Sequence, residues 1–468
     1  MKTVVSAITL AVLSGCASVN FEQSVVQTNQ VAADFTQGEL TLALTPEQRQ
    51  GQAQIATTLL EQPVTQSDSV RLALAGSPAV QALLAQNWAD TASSAQSGRI
   101  TNPVFTLERL RFVDELDIGR LLSFGLLDLL TLPQRQNLAQ RQIAQAQLQL
   151  TRSVVAHITQ VRMAWVRAVA AQQSLVYAEQ VNDAAQASAE LARRMQAAGN
   201  FTKLQRARQQ AFYADAATQW ATAQHAATAT REALVRLLGL TDSQAPTLML
   251  PNRLPDLPKT PRTPQAVSLA ASTGRLDLQL AQAEFEGAAT AQGLNRITSL
   301  TDIELGVRRD SVFDNAAGST NTRHGFEVSV RLPVFDSGGL QREAMNARTL
   351  ASANRLEATA RAAGSHLRES YSAYRTAYDV ARHYRDEVVP LRQTIAEENV
   401  LRYNGMLIGV FELLADTRDQ VGSVIAAIAA EQQFWLADAA LQTALIGQPT
   451  MAPLGAAPSP SSAGSATH

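Results

Sequence analysis

Hydrophobic and polar positions along this chain predict unusually long helices. Residues 134–198 contain neither glycine nor proline, so at about 1.5 Å per residue they predict a rod of roughly 100 Å. Gly199 and Asn200 predict a turn, and a second uninterrupted helix follows over 201–238 before Gly239. Helices of this length need partner helices along their whole surface, as in a coiled coil or a helical barrel.

Two other stretches have the pattern of β-hairpins. The first, 100–132, includes a candidate strand over Leu116–Leu132, although its leucines come in adjacent pairs. The second, 301–336, has candidate strands over Asp302–Arg309 and Gly325–Phe335 joined by a polar loop. The last strand alternates apolar and polar side chains with a period of two, which is typical of a strand with one apolar face. About four strands per chain are therefore expected.

The order of these elements repeats along the chain. Residues 66–245 form a first predicted repeat with long helices over 134–239, and 246–264 form a proline-rich linker. Residues 265–447 form a second repeat with long helices over 340–446. Each repeat has a helix, a hairpin and two long helices, which indicates an internal duplication.

Short motifs at the helix ends support the duplication. Met195–Gly199 corresponds to Leu401–Gly405, and Leu237–Gly239 corresponds to Leu445–Gly447. Both correspondences have an offset of about 206 to 208 residues.

Residues 1–15 have the features of a secretory signal peptide. Lys2 supplies a positive charge, and the apolar stretch Val4–Leu13 is shorter than the roughly 20 residues that a transmembrane helix needs. Leu13-Ser14-Gly15-Cys16 resembles a bacterial lipobox, which implies a lipid on the cysteine and, with Ala17 next, sorting to the outer membrane. The alternative is an ordinary signal peptide with a chance cysteine.

Flanking segments complete the predicted organisation. Residues 16–65 are expected to form a lipidated N-terminal arm, and the Pro/Ser/Ala/Gly-rich residues 448–468 a disordered tail. No later apolar run reaches 18 residues, so passage through a membrane would require a β-barrel. Four strands cannot close one, because the smallest membrane barrels have about eight, but three chains would supply twelve.

Composition excludes several classes of function. The 468 residues carry a formal net charge of −2 and only 17% charged residues, which gives no support for nucleic-acid binding. Cys16 is the single cysteine, so disulfides within the chain and cysteine-based metal clusters are impossible. The six histidines are scattered, and no metal or catalytic motif is present. We expect no catalytic residues, no metal site and no cofactor apart from the covalent lipid.

The combined motifs resemble the TolC-like outer-membrane efflux family, in its lipoprotein branch. The segments that carry the resemblance are the lipobox at Cys16, the turns at Gly199 and Gly405, Leu237-Leu238-Gly239, Leu332-Pro333-Val334-Phe335-Asp336-Ser337-Gly338-Gly339, and Arg402-Tyr403 through Glu412-Leu413-Leu414. The resemblance covers nearly all of residues 66–447.

This resemblance implies a mainly α fold with a small β part and a passive, non-enzymatic duct. A homotrimer would pool its strands into a 12-stranded barrel in the bacterial outer membrane, in contact with its lipids, with a helical barrel in the periplasm. A periplasmic adaptor protein and an inner-membrane pump, of resistance-nodulation-division type, would dock at the helix tips. The exported solute, whether metal ion, drug or solvent, stays open.

The resemblance also implies a gate at the helix tips. Aperture and selectivity candidates are Glu412, Asp416, Asp419, Lys203, Arg206 and Arg208. The three basic residues are expected to pair with the three acids if the helical hairpins touch; the alternative is that all six are solvated helix charges. Candidates for tip turns and adaptor docking are Gly199, Asn200, Gly405, Leu407 and Ile408, of which the last two suggest a partly apolar closure.

Two other kinds of protein are alternatives to a channel. A lipid-anchored periplasmic coiled-coil scaffold without a pore would share the signal and the long helices. A lipid-anchored hydrolase would need a catalytic cluster that the sequence does not contain. The hairpins distinguish a channel from the scaffold, because the strands of a pore carry side chains that face lipid and lumen alternately.

Overall fold

A computed structural model describes residues 21–271 and 274–448. It is mainly α-helical with one small antiparallel sheet of four strands, which confirms the predicted fold class. The predicted signal peptide, the lipidation site Cys16 and the tail from residue 449 onward lie outside the described residues.

The elements follow the same order in both halves. Those of the first half are α1 (Phe21–Val31), α2 (Ala33–Thr36), α3 (Pro46–Leu60), α4 (Gln66–Gly76), α5 (Pro78–Ser97), β1 (Val104–Phe112), β2 (Glu115–Gly125), α6 (Leu126–Leu130), α7 (Leu132–Ala197) and α8 (Lys203–Leu238). Those of the second half are α9 (Pro264–Ala271), α10 (Leu276–Thr298), β3 (Ile303–Asp314), β4 (Ser319–Val330), α11 (Gly339–His383), α12 (Val389–Asn404) and α13 (Val410–Leu445). Two helices, a hairpin and long helices thus recur in both halves, in the order that the predicted duplication requires.

None of the helices in the described ranges has an apolar stretch long enough to cross a bilayer.

The described chain divides into two compact units that do not follow the two repeats. The sheet unit comprises residues 21–24, 85–150 and 277–361. The helical unit comprises residues 25–84, 151–271, 274–276 and 362–448. Each unit thus combines segments from both halves of the duplication.

The first hairpin ends earlier than its sequence predicts. The strand expected over Leu116–Leu132 stops at Gly125, and the short helix α6 follows. The four leucines of α6 come in two adjacent pairs three residues apart, which is a helical spacing and not the alternation of a strand. Asp128 fixes the helix, since it accepts a hydrogen bond from Thr101 Oγ1 at 2.8 Å and pairs with Arg135 at 3.1 Å.

The second hairpin has longer paired strands than expected. β3 continues to Asp314 and β4 begins at Ser319, so polar residues that were predicted as a loop belong to the paired strands. The prediction differs because a strand with a polar face resembles a loop in composition. The Asp314 carboxylate accepts the backbone N–H groups of Ala316 and Ala317 and closes a short turn. β4 stops at Val330, short of the predicted end at Phe335, because Pro333 has no N–H to donate.

The proline-rich linker is a packed part of the helical unit. Tyr378 Oη donates to the Pro258 carbonyl at 3.0 Å, and Trp435 Nε1 donates to the Pro255 carbonyl at 3.0 Å. Tyr378 is almost fully buried beside Phe434 in an apolar cluster of α11 and α13. The linker therefore covers the helix pair that carries the second repeat.

The predicted N-terminal arm contributes three helices in the described residues. Leu40 is fully buried, and Trp165 Nε1 donates to the Val64 carbonyl at 2.8 Å. Thr45 and Gln48 form a reciprocal capping box at the start of α3, a local signal that the sequence reading overlooked.

One irregular turn interrupts the second long helical segment. Residues Tyr384–Val388 are π-helical and join α11 to α12. Pro390 explains this turn, because it lacks the N–H that a regular helix would donate to residue 386.

Candidate functional site

The turn between α7 and α8, here called the first tip (residues 198–202), is a Schellman motif. Gly199 has φ +78° and donates its N–H to the Gln196 carbonyl at 3.0 Å. Asn200 N–H donates to the Met195 carbonyl at 2.9 Å, which closes the characteristic six-to-one bond. Glycine accommodates the positive φ without a steric penalty.

The turn between α12 and α13, the second tip (residues 405–409), has the same motif shifted by one residue. Leu407 N–H donates to the Arg402 carbonyl at 2.8 Å, and Met406 holds the left-handed position with φ +57°. Gly405 has an ordinary φ of −80°. The expected match of Gly405 with Gly199 is therefore wrong by one residue, and Met406 is the structural counterpart.

The two tips also differ in their helix caps. Thr202 caps α8 through a capping box with Gln205. Gly409 caps α13 and offers no side chain to the first turn. With a strained methionine and a bare cap, the second tip has the weaker local structure.

Aromatic side chains join the first tip to the second. The rings of Phe201 and Phe411 stack with centroids 4.3 Å apart. Further along the same two helices, the Arg418 guanidinium lies over the Phe212 ring, 5.4 Å from its centroid. These two contacts connect the start of α8 to the start of α13.

The three candidate acids have different surroundings. Asp416 accepts a hydrogen bond from the buried amide of Asn399 on α12. Asp419 lies 3.5 Å from Arg418 and 3.9 Å from Arg392. Glu412 is exposed in the first turn of α13, and within the described residues its carboxylate has no hydrogen-bond or ion-pair partner. Of the three candidate acids, Glu412 is thus the one whose carboxylate is unpaired in the described chain.

The three candidate bases do not pair with these acids in the described chain. Lys203 is exposed, and Arg206 Nη1 donates to Gln196 Oε1 at 2.8 Å within its own hairpin. Arg208 lines an open cleft that also contains Arg418. None of the acid–base pairs considered from the sequence is present in the described chain: Asp416 and Asp419 bond within their own hairpin, and the contacts between the hairpins involve aromatic rings.

Exposed apolar side chains surround both tips. Leu407 is 73% exposed, whereas its neighbour Ile408 is 8% exposed and packs inward. Other exposed apolar residues here are Leu204, Leu401 and Met406. Only one of the two residues suggested as an apolar docking surface, Leu407, is available for contact in the described chain.

A fixed charge cluster lies near the end of α7. Glu190 accepts hydrogen bonds from Arg193 and Arg194 at 2.8 Å. These bonds hold the pKa of the Glu190 carboxyl at about 2, so it stays ionised at any physiological pH.

Sequence reasoning missed the residues that hold the tips together. Phe201, Phe212, Phe411 and Asn399 carry no motif of their own. A phenylalanine lies within two residues of each turn, and this was the one sequence signal for the contact. Its role is visible only in the structure, where two hairpins that are distant in sequence meet.

The sheet supplies the second candidate region, because its register separates two chemically different faces. The strands run in the order β1-β2-β3-β4, all antiparallel, and are in continuous register. One face, here called the polar face, carries Val104, Thr106, Glu108, Leu110, Phe112, Glu115, Asp117, Gly119, Leu121, Ser123, Glu304, Gly306, Arg308, Asp310, Val312, Asp314, Ser319, Asn321, Arg323, Gly325, Glu327 and Ser329.

The opposite face, here called the apolar face, begins with exposed hydrophobic rows beside the helix connections. It carries Phe105, Leu107, Arg109, Arg111, Leu116, Ile118, Arg120, Leu122, Phe124, Ile303, Leu305, Val307, Arg309, Ser311, Phe313, Thr320, Thr322, His324, Phe326, Val328 and Val330. Phe326 is 82% exposed and Phe105 62% exposed, which is unusual for a face in contact with water.

Solved structures with this fold are membrane proteins of bacteria. A membrane protein from Pseudomonas aeruginosa matches with a TM-score of 0.66 and 18% identity, over 84% of this chain and 93% of that one. The outer membrane protein VceC of Vibrio cholerae matches with a TM-score of 0.66 and 16% identity, over 85% and 97%. The Campylobacter jejuni CmeC outer membrane channel matches with a TM-score of 0.65 and 13% identity, over 86% of each chain.

The chain therefore has the TolC-like fold of these outer-membrane proteins, and the resemblance predicted from the sequence is confirmed at the level of fold. No family model matches the chain, and no curated protein matches it in sequence.

Proposed function

We propose that this protein is the outer-membrane channel of a bacterial tripartite efflux system. Three chains pool their strands into a 12-stranded barrel, with the polar face toward a water-filled lumen and the apolar face toward lipid. The long helices continue the duct into the periplasm. The duct is passive and carries out no catalytic step.

The division of the sheet into two faces is the observation that carries this proposal. All seven acidic residues of the four strands lie on the polar face, and the exposed Phe105 and Phe326 lie on the other, whereas the exposed Phe112 lies on the polar face at the hairpin turn. Carboxylates are costly in hydrocarbon, so such a sheet suits a boundary between lipid and an aqueous lumen.

Unpaired strand edges support an oligomer. In the described chain β1 and β4 each pair on one side only, which leaves edges of 9 and 12 residues. Backbone groups in a bilayer must all be hydrogen-bonded, so each edge requires a strand from another chain. A periplasmic scaffold with a water-exposed sheet would have no need of the hydrophobic rows.

The partners proposed are a periplasmic adaptor and an inner-membrane pump that supplies the energy. Exposed Leu204, Leu401, Met406 and Leu407 offer an apolar surface on which an adaptor can dock. The fold shared with two outer-membrane proteins, one of them described as a channel, supports the location. A lipid on Cys16 would anchor the mature chain in the same membrane.

Mass measurement of the purified protein tests the trimer. In detergent we expect a species of three chains, and a monomer that stays in solution without detergent would support the scaffold instead. Palmitate labelling tests the anchor: Cys16→Ala should abolish incorporation, and unchanged labelling would refute lipidation at this residue.

A further inference from the structure

Charge on the four strands is divided between the two faces of the sheet. Of their seven basic residues, Arg308 and Arg323 lie on the polar face beside the acids. The other five lie on the apolar face, where the described strands have no acidic residue. They are Arg109, Arg111, Arg120, Arg309 and His324.

Three of these five basic residues form one row across the sheet. The register places Arg120 directly opposite Arg309, and Arg309 directly opposite His324. Side chains paired in this way have Cβ atoms about 5 Å apart, and like charges so placed are destabilising. A negative partner would therefore stabilise this row, here called the basic row.

The described residues do not supply that partner. Arg120 Nη1 donates to Ser311 Oγ in the next row at 3.2 Å, and Arg309 and His324 are exposed. On the polar face, by contrast, Arg308 donates to both Asp310 and Glu108 at 2.9 Å. The same strand thus pairs one arginine internally and leaves the next one unpaired.

Beside the basic row, on the side of the helix connections, the apolar face is hydrophobic. The adjacent row consists of Phe105, Leu122, Val307 and Phe326, which are 46% to 82% exposed. Rows on one face are about 7 Å apart along the strands. Cationic groups next to exposed hydrophobic rows complement a molecule with an anionic head and an apolar tail.

We propose that the basic row binds the phosphate groups of a phosphorylated membrane lipid whose acyl chains lie on the hydrophobic rows. This rests on the proposed function, which makes the apolar face the lipid-facing one. Both hairpin turns lie at one end of the sheet and all four helix connections at the other. The basic row crosses the middle of the strands and, with the helices in the periplasm, it lies on the outer-leaflet side of the hydrophobic rows, from where long guanidinium side chains can extend toward headgroup phosphates.

Lipid retention by the purified trimer tests the assignment. The probes are lipid A with two phosphates, the same lipid dephosphorylated, and inorganic phosphate, with bound lipid counted by native mass spectrometry. We expect a triple variant, Arg120→Gln with Arg309→Gln and His324→Gln, to bind the phosphorylated lipid about a hundred-fold more weakly. The matched control is Arg323→Gln, which removes the charge next to His324 on the polar face and should bind as the unmodified chain does.

Three outcomes would overturn the proposal: equal retention by the triple variant, equal retention of the dephosphorylated lipid, or displacement of the lipid by inorganic phosphate at matched concentration. Insertion into vesicles and conductance are recorded on the same samples. A protein that inserts and conducts but ignores the phosphates contradicts the lipid site alone, whereas one that fails to insert contradicts the channel as well.

Discussion

Met406 and Gly199 occupy equivalent left-handed positions in the two tips, with φ +57° and +78°. A side chain at such a position costs roughly 1–2 kcal/mol, and glycine avoids this cost. The two tips thus have the same hydrogen-bond pattern but different strain. This difference makes the second tip the one that rearranges more easily.

Substitutions at these two positions should change the local stability of the two tips in opposite directions. Gly199→Ala should lower the hydrogen-exchange protection of the Asn200 amide by about fivefold, since roughly 1 kcal/mol of strain is added. Met406→Gly should raise the protection of the Leu407 amide. Unchanged protection in both variants would show that the tips are not strained differently.

Glu412 is expected to set ion preference, because it is the exposed carboxylate of the second tip that lacks a partner in the described chain. A ring of three such carboxylates would attract cations. Glu412→Gln should therefore reduce the preference for cations in single-channel recordings. Glu190→Gln is the control, because Arg193 and Arg194 already bind that carboxylate; identical ion selectivity in both variants would remove Glu412 from the gate.

His157 makes the helical unit sensitive to acid. Its side chain is 8% exposed, and burial lowers its pKa from the ordinary 6.5, although a hydrogen bond with the Leu237 backbone acts in the opposite direction. The unfolded chain therefore binds a proton that the folded chain does not, so stability falls as pH drops below about 6.5, by at most about 1.4 kcal/mol per unit.

Thermal unfolding at pH 7.5 and 5.5 measures this effect. His157→Gln should reduce the loss of stability between the two values. An equal loss in the variant would assign the pH dependence to another group.

At the scale of elements, the aromatic contact between α8 and α13 joins the tips. The stacked pair Phe201–Phe411 is worth about 0.5–1.5 kcal/mol beyond its buried area. Phe411→Ala should loosen the second tip and increase the open probability in single-channel recordings. Leu204→Ala, which truncates an exposed side chain beside the first tip, should leave gating unchanged; equal behaviour of the two variants would contradict a role for the stack.

The sequence predicted helices well and strand ends poorly, for physical reasons. Absence of glycine and proline over 134–198 is sufficient for a long helix, and α7 spans Leu132–Ala197. Strand ends depend on pairing between strands, which no local pattern contains: the polar residues 310–314 and 319–324 resemble a loop in sequence, yet they are paired in β3 and β4. The left-handed residue of the second turn, Met406, was not predicted, because the neighbouring Gly405 was the obvious candidate for that position.

The candidate site was predictable in its position but not in its contacts. The turn glycines located the tips, yet the partners of Asp416 and Arg206 come from neighbouring turns of their own hairpins. Charge complementarity between two hairpins can be proposed from composition, whereas the aromatic contact that replaces it depends on the packing angle of four helices.

A channel built from this chain requires that several copies form one aqueous path. The polar face of a single sheet cannot enclose a lumen, and its two open edges require further strands. Duplication within the chain supplies two hairpins, and a trimer supplies the twelve strands that a barrel of useful diameter needs. The helical segments would continue the same symmetry.

Single-channel conductance in planar bilayers shows whether this aqueous path exists. The purified protein, with its mass determined in parallel, should form discrete channels that prefer cations and arise from a species of three chains. A three-chain species that inserts but never conducts, even in the Phe411→Ala variant, would contradict the channel, and a monomer soluble without detergent would favour the periplasmic scaffold.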